Sequence, residues 1–220
     1  MKIIALKNAE NYENAVSEAI KILRSGGSIV FPTDTVYGLG ANACNRGAVE
    51  QIYKIKKRSI TNPLPVLARN LEWVREIAFV PPKLEIFLNE IWPGPVTVIL
   101  PSRKVTVSLT HDRNVGVRVA KHSLIGMLLA MFGYPLAATS ANISGEPETG
   151  DPAQVIASFK EHLWRPDLLL DAGVLPPSKS STVIDLTTIK PKILRVGPSS
   201  PEYFMKLLGL YDKKTHPKRN

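Results

Sequence analysis

The chain has 220 residues, with 28 Lys and Arg against 19 Asp and Glu for a formal charge of +9, and 44% of its residues are hydrophobic. That length and balance describe one folded domain with a sizeable core and exclude a disordered chain. A single cysteine, Cys44, excludes an intramolecular disulfide framework and a cysteine metal cage, and a pI near 9.7 points to polyanionic company without separating nucleic acid from nucleotide.

The apolar stretch at 3–6 is too short for a signal-peptide core and runs straight into polar Lys7 and Asn8. Tyr12, Ala15, Val16, Ala19, Ile20 and Leu23 fall at helical spacing, and Gly26-Gly27 stops that helix. A short buried strand over 28–31 follows and ends at Pro32. The spacing predicts further helices over 46–57, 71–77 and 83–91, and an apolar strand over 64–67. Beyond them come strands over 96–100, 115–119, 136–138, 168–171, 183–186 and 193–196, with helices over 123–132 and 152–159 between some of them. Interleaved helices and strands imply an α/β sheet, and the two strands between 96 and 119 without an intervening helix make it mixed. The longest apolar run, 124–133, is half of what a bilayer crossing needs, so a cytoplasmic location without a membrane partner is the expectation. Residues 211–220 carry Lys213, Lys214, Lys218 and Arg219 and read as a loose basic tail after a domain of residues 1–210.

Three polar segments interrupt this pattern. Residues 31–40, FPTDTVYGLG, put two threonines, an aspartate and two glycines at the end of a buried strand, where α/β proteins place ligand sites. The same residues also suit an ordinary hydroxyl-bonded turn, and Gly38 and Gly40 lack the third glycine of a dinucleotide fingerprint. The basic run Lys54, Lys56, Lys57, Arg58 favours a helix C-terminus by charge alone, but Asn62-Pro63 then fixes it beside a strand. Cations so held can neutralise a triphosphate, with Arg able to bind bidentately. Residues 139–145, TSANISG, offer hydroxyls, an amide and backbone donors in one loop, which is also what a plain polar turn contains.

Arg118 and Arg195 each sit inside an apolar strand, where a cation requires a carboxylate from the protein or from a ligand. Walker, nucleophile-elbow and His-rich metal patterns are missing from the sequence. His111-Asp112 lies in a polar turn, and Cys44 reads as a small packing residue with no cue for a reactive thiol.

Seven segments together resemble the YrdC-like family of threonylcarbamoyl-AMP synthases: 31–40 (FPTDTVYGLG), 56–64 (KKRSITNPL), 93–100 (PGPVTVIL), 115–119 (VGVRV), 140–145 (SANISG), 181–186 (STVIDL) and 193–197 (ILRVG). The resemblance implies a twisted mixed α/β sheet with flanking helices and a large basic cavity, in the single-domain form. It implies a nucleotidyltransferase that joins L-threonine, bicarbonate and ATP, with Mg2+, into threonylcarbamoyl-adenylate and pyrophosphate. The product would serve tRNA modification through a downstream threonylcarbamoyl transferase, so tRNA is an indirect partner. Carried over by motif, Thr35, Arg118, Ser140 and Ser181 would contact threonine. Lys56, Arg58, Asn62, Asn142 and Arg195 would surround the nucleotide, with Lys56 and Arg58 as the catalytic pair. The chain departs from the family at Leu67, where a histidine is common, and at Glu148-Thr149-Gly150-Asp151-Pro152, which replaces a Ser-Pro-Thr-Thr-like segment. Two alternatives stand beside this reading: a non-catalytic module binding double-stranded RNA or tRNA, and a relative of the corresponding domain of hydrogenase-maturation carbamoyltransferases. Arginines embedded in apolar strands favour a small-ligand pocket over an exposed RNA-binding face.

Overall fold

A computed structural model describes residues 1–6, 10–103, 113–188 and 190–215. Helix α1 (Glu10–Arg24) stops where Gly26 takes φ 84°, and the chain turns directly into β2 (Ser28–Phe31). β2 is buried along its whole length, so both of its faces need an apolar layer. Ile29 and Phe31 face α1 and α5 (Ser123–Phe132), whose Val16, Leu23, Leu124 and Leu128 share their cluster. Val30 joins the second and larger cluster, with α2 (Arg46–Lys56), α3 (Leu71–Ile77), α4 (Pro82–Ile91), α6 (Pro152–Lys160) and α7 (Pro201–Thr215) contributing to it. The sheet is therefore the middle layer of three.

The remaining strands are β1 (Lys2–Ala5), β3 (Gly38–Asn42), β4 (Val66–Leu67), β5 (Val96–Pro101), β6 (Asn114–Arg118), β7 (Leu136–Ser140), β8 (Leu168–Asp171), β9 (Thr182–Asp185) and β10 (Lys192–Arg195). Among the described residues, ten strands form one sheet in the order β1-β8-β2-β3-β7-β4-β6-β5-β9-β10. It is mixed: β4 runs parallel to β6 and β5 parallel to β9, whereas β2–β3, β3–β7 and β5–β6 are antiparallel. No helix among the described residues is long and apolar enough to cross a membrane.

Four elements differ from the sequence expectation. The stretch at 2–5 is an edge strand, held parallel to β8 from Lys2 opposite Leu168 onward. Residues 38–42, expected as loop, form β3 because their glycines let the backbone lie under the Phe31 ring. A Cβ on Gly38 would come within 2.7 Å of that ring, and one on Gly40 within 2.9 Å. The strand expected at 64–67 shrinks to Val66–Leu67, since Pro63 and Pro65 have no N–H to give a ladder. Finally, the expected tail starts too early: α7 continues through Thr215 and packs against α4, with Phe204 and Leu208 buried. Residues 216–220 and the turn at His111-Asp112 lie outside the described residues.

Candidate active site

The polar segment after β2 is built on hydroxyls. Thr33 Oγ1 donates to the Val36 carbonyl at 2.7 Å and accepts the Thr35 N–H at 3.0 Å, which holds Thr35 Oγ1 inward. Arg118, at the end of β6, reaches the same spot. Its Nη2 pairs with Asp34 Oδ1 at 2.5 Å, Nη1 donates to Thr35 Oγ1 at 3.3 Å, and Nε donates to the Gly94 carbonyl at 3.2 Å. The buried cation thus has the protein carboxylate that its strand context requires. Among the described residues three of its five N–H donors are occupied, which leaves two, and the side chain lines the cavity.

Across the sheet, β9 starts beside β5 and brings Ser181 Oγ to 2.9 Å from Thr97 Oγ1. Arg195 closes over them: Nε donates to the Ser181 carbonyl at 2.9 Å and Nη2 to Ser181 Oγ at 3.2 Å. Gly197 permits this closure, because a Cβ there would collide with the backbone of residues 180–182. β10 is an edge strand, and the Arg195 side chain keeps 47% of its exposure. The expectation of two equally embedded arginines is corrected here: Arg118 is buried, whereas Arg195 lies at the rim, because an edge strand has a free side.

The basic run divides at the end of α2. Lys57 takes the left-handed conformation at φ 51° and caps the helix, so Lys56 and Arg58 leave in different directions. Arg58 turns to the cavity, steered by Nε to the Asn62 carbonyl at 3.0 Å and Nη2 to the Pro63 carbonyl at 3.2 Å. Lys56 turns inward, and only 2% of it is exposed. Its ammonium donates to Ser140 O at 2.7 Å, Asn142 O at 2.9 Å and Asn142 Oδ1 at 2.8 Å. Ser140 Oγ donates to the same Oδ1 at 2.8 Å, and Asn142 Nδ2 donates to the Glu146 carbonyl at 2.6 Å. Burial pushes the Lys56 ammonium down to about 8, with the Arg58 charge adding to the effect and Glu148 opposing it.

One cavity of about 460 Å3 collects Thr35, Arg58, Arg118, Ser140, Ser181 and Arg195 on its wall. Lys56, Asn62 and Asn142 are not on it. The three Lys56 protons bond protein oxygens, Asn142 is tied on both sides, and exposed Asn62 offers its backbone carbonyl to Arg58. Burial lowers the Arg58 and Arg118 guanidiniums, Tyr53 opposes this at Arg58 and Asp34 at Arg118, and the Arg195 charge adds to the lowering of both. An anion between Arg195 and the other two guanidiniums offsets that contribution. Apolar Phe31, Pro65, Leu67 and Ala138 line the same cavity.

Several lining residues carried too weak a signal in the sequence. Thr97 sits in a strand where its hydroxyl reads as β-propensity, and Ser180 is masked by its neighbour Ser181. Asp185 ends β9 and accepts from the Thr187 N–H at 2.9 Å. Glu148, read only as a departure, lines the cavity, accepts from Ser180 Oγ and stands 3.7 Å from Arg195 Nη1. Cys44, expected as a packing residue, is exposed just after β3.

Comparison with known proteins agrees with this architecture. The Sua5/yciO/yrdC family model, described as "Telomere recombination", matches residues 21–197. A threonylcarbamoyl-AMP synthase of Pyrococcus abyssi is 35% identical over 202 residues, covering 90% of this chain and 58% of the relative. One from Coxiella burnetii is 32% identical over 183 residues, covering 81% of this chain and 96% of the relative. Among solved structures, P. abyssi Sua5 complexed with L-threonine aligns with TM-score 0.83 and 32% identity over 94% of this chain and 60% of that one. E. coli YciO aligns with TM-score 0.79 and 26% identity over 92% and 98%. The chain therefore spans a little under two thirds of the P. abyssi relative, in sequence and in structure. By its motifs, its sheet and these matches, the chain belongs to the Sua5/YciO/YrdC family.

Proposed function

We propose that the chain is an L-threonylcarbamoyladenylate synthase, acting on L-threonine, bicarbonate and MgATP. The observation that supports this best is the gathering of three arginines and several hydroxyls on the wall of one cavity. Arg118 lines it with Thr35, Arg195 lines it with Ser181, and Arg58 joins them on the same wall. Relatives named threonylcarbamoyl-AMP synthase, and a Sua5 structure that holds L-threonine, support the same substrates.

In this reading the two free Arg118 donors fork onto the threonine carboxylate, and Thr35 and Ser181 orient the rest of the amino acid. The threonine amine and bicarbonate give a carbamate and water. A carbamate oxygen then attacks the α-phosphorus and pyrophosphate leaves. Arg58 and Arg195 neutralise the phosphate charge that develops. Lys56 holds the loop that carries Ser140 and Asn142, and with it Ser140 on the cavity wall. The magnesium ion enters as part of the nucleotide substrate; among the described residues, no group of three or more His, Cys, Asp or Glu gathers to hold a metal. The reaction is mainly one of positioning, with bicarbonate or solvent taking the amine proton. The adenylate would pass to a downstream transferase that modifies tRNA in the cytoplasm.

A pyrophosphate-release assay with single omissions tests this. Release that needs ATP, threonine and bicarbonate together supports it. Release indifferent to threonine or bicarbonate overturns it, and tRNA binding with a steep salt slope but no release favours an RNA-binding module.

A further inference from the structure

Glu148 and Asp185 are the two carboxylates on the cavity wall, and Glu148 is the one paired with Arg195 among the described residues. Its neighbours are held by the sheet and the loop: the Tyr37 N–H donates to the Thr149 carbonyl at 3.1 Å, and the Leu175 N–H to the Gly150 carbonyl at 2.8 Å. The carboxylate is therefore aimed rather than free. It accepts from Ser180 Oγ and stands 3.7 Å from Arg195 Nη1, the guanidinium nitrogen that the Ser181 contacts leave over. Glu148, Ser180, Arg195 and Val36 also line a second cavity of about 290 Å3 that reaches Lys179, so they stand between the two spaces.

A carboxylate held on an arginine and a serine hydroxyl makes the contacts that a phosphate oxygen would make. We propose that Glu148 is an internal anion that occupies Arg195 and Ser180 when the cavity is empty, and that bound polyphosphate displaces it and opens the way to the Lys179 side. Glu148 then sets how tightly the site holds polyphosphate, including the pyrophosphate that must leave. The Glu148 and Arg195 side chains are 32% and 47% exposed, so water competes with their pairing and a multiply charged ligand can break it. The inference rests on the nucleotide reading given above.

The test is calorimetric titration of the full chain and of Glu148→Gln and Glu148→Ser with magnesium-free ATP, MgATP and inorganic pyrophosphate. Removing an internal competitor of this exposure tightens polyphosphate binding roughly 1.5–5-fold in both variants, and the gain shrinks as salt rises. Unchanged affinity in both variants, with ATP bound by the parent, overturns the proposal and leaves the nucleotide reading standing. Weaker binding of MgATP alone overturns it in favour of Glu148 as a ligand to the nucleotide's magnesium. Tighter pyrophosphate binding in a protein that never binds ATP upholds the proposal and removes the nucleotide reading. If neither anion binds any of the three proteins, both fall.

Discussion

Replacing Lys56 by Met separates a structural ammonium from a phosphate ligand. Methionine keeps most of the apolar stem and removes the three donors at 2.7–2.9 Å from Ser140 O, Asn142 O and Asn142 Oδ1. Those acceptors lie in a loop where Asn142 is only 4% exposed, so water replaces the lost partners poorly. Each charge-assisted bond contributes about 1.5–3 kcal/mol, offset by no longer burying an ammonium, for a net loss of about 3 kcal/mol. For a chain of this size that lowers the melting temperature by about 6–12 °C. Equilibrium denaturation of parent and Lys56→Met, with ATP titrated into each at a temperature where both are folded, checks it. Lys56→Met is expected to lose stability and nucleotide affinity together, because Ser140 on the cavity wall loses its anchor. Loss of ATP binding with stability unchanged to within about 0.5 kcal/mol would refute the argument and return Lys56 to the phosphates.

Asp34→Asn leaves the buried Arg118 cation short of its carboxylate and is expected to cost about 3 kcal/mol. A threonine carboxylate replaces part of that loss, so threonine raises the melting temperature more in Asp34→Asn than in the parent; an equal shift in both places the substrate carboxylate elsewhere. Gly38→Ala pushes a methyl to 2.7 Å from the Phe31 ring and is expected to cost about 1–3 kcal/mol by denaturant titration, whereas Gly126→Ala, with open space around it, costs nothing. The Lys56 ammonium sits near 8 when folded, below its ordinary 10.5, so the unfolded chain holds the extra proton between those values and stability rises with pH there. Burial raises the Tyr37 phenol to about 12, so the sign reverses between pH 10 and 12; Lys56→Met flattens the first limb and Tyr37→Phe the second.

The helices and most strands were legible because their apolar residues recur at clean periods. The sheet over 28–31, 96–100 and 168–171 and the helix over 123–132 fall where period and punctuation put them. β3 was hidden because Gly38-Leu39-Gly40 has poor strand propensity; its reason for being a strand is the Phe31 ring across the ladder, a contact distant from any local pattern. α7 was hidden by its charged end, although Phe204 and Leu208 anchor it. In the site, the need of Arg118 for a carboxylate was readable from its strand, and Asp34 lies 84 positions away. The direction of Lys56 was not readable, because the left-handed Lys57 decides which of two neighbouring cations faces the cavity. Glu148 was visible only as a mismatch, since its meaning depends on Ser180 and Arg195 arriving from the far side of the chain.

Mass spectrometry of the products formed with 13C-bicarbonate asks whether one cavity joins threonine, bicarbonate and ATP. The expected product is a threonylcarbamoyl-adenylate one mass unit heavier than the unlabelled compound, formed only when all three substrates are present and abolished in Arg118→Ala. Absence of that adduct, or an adduct carrying no label, contradicts that reaction.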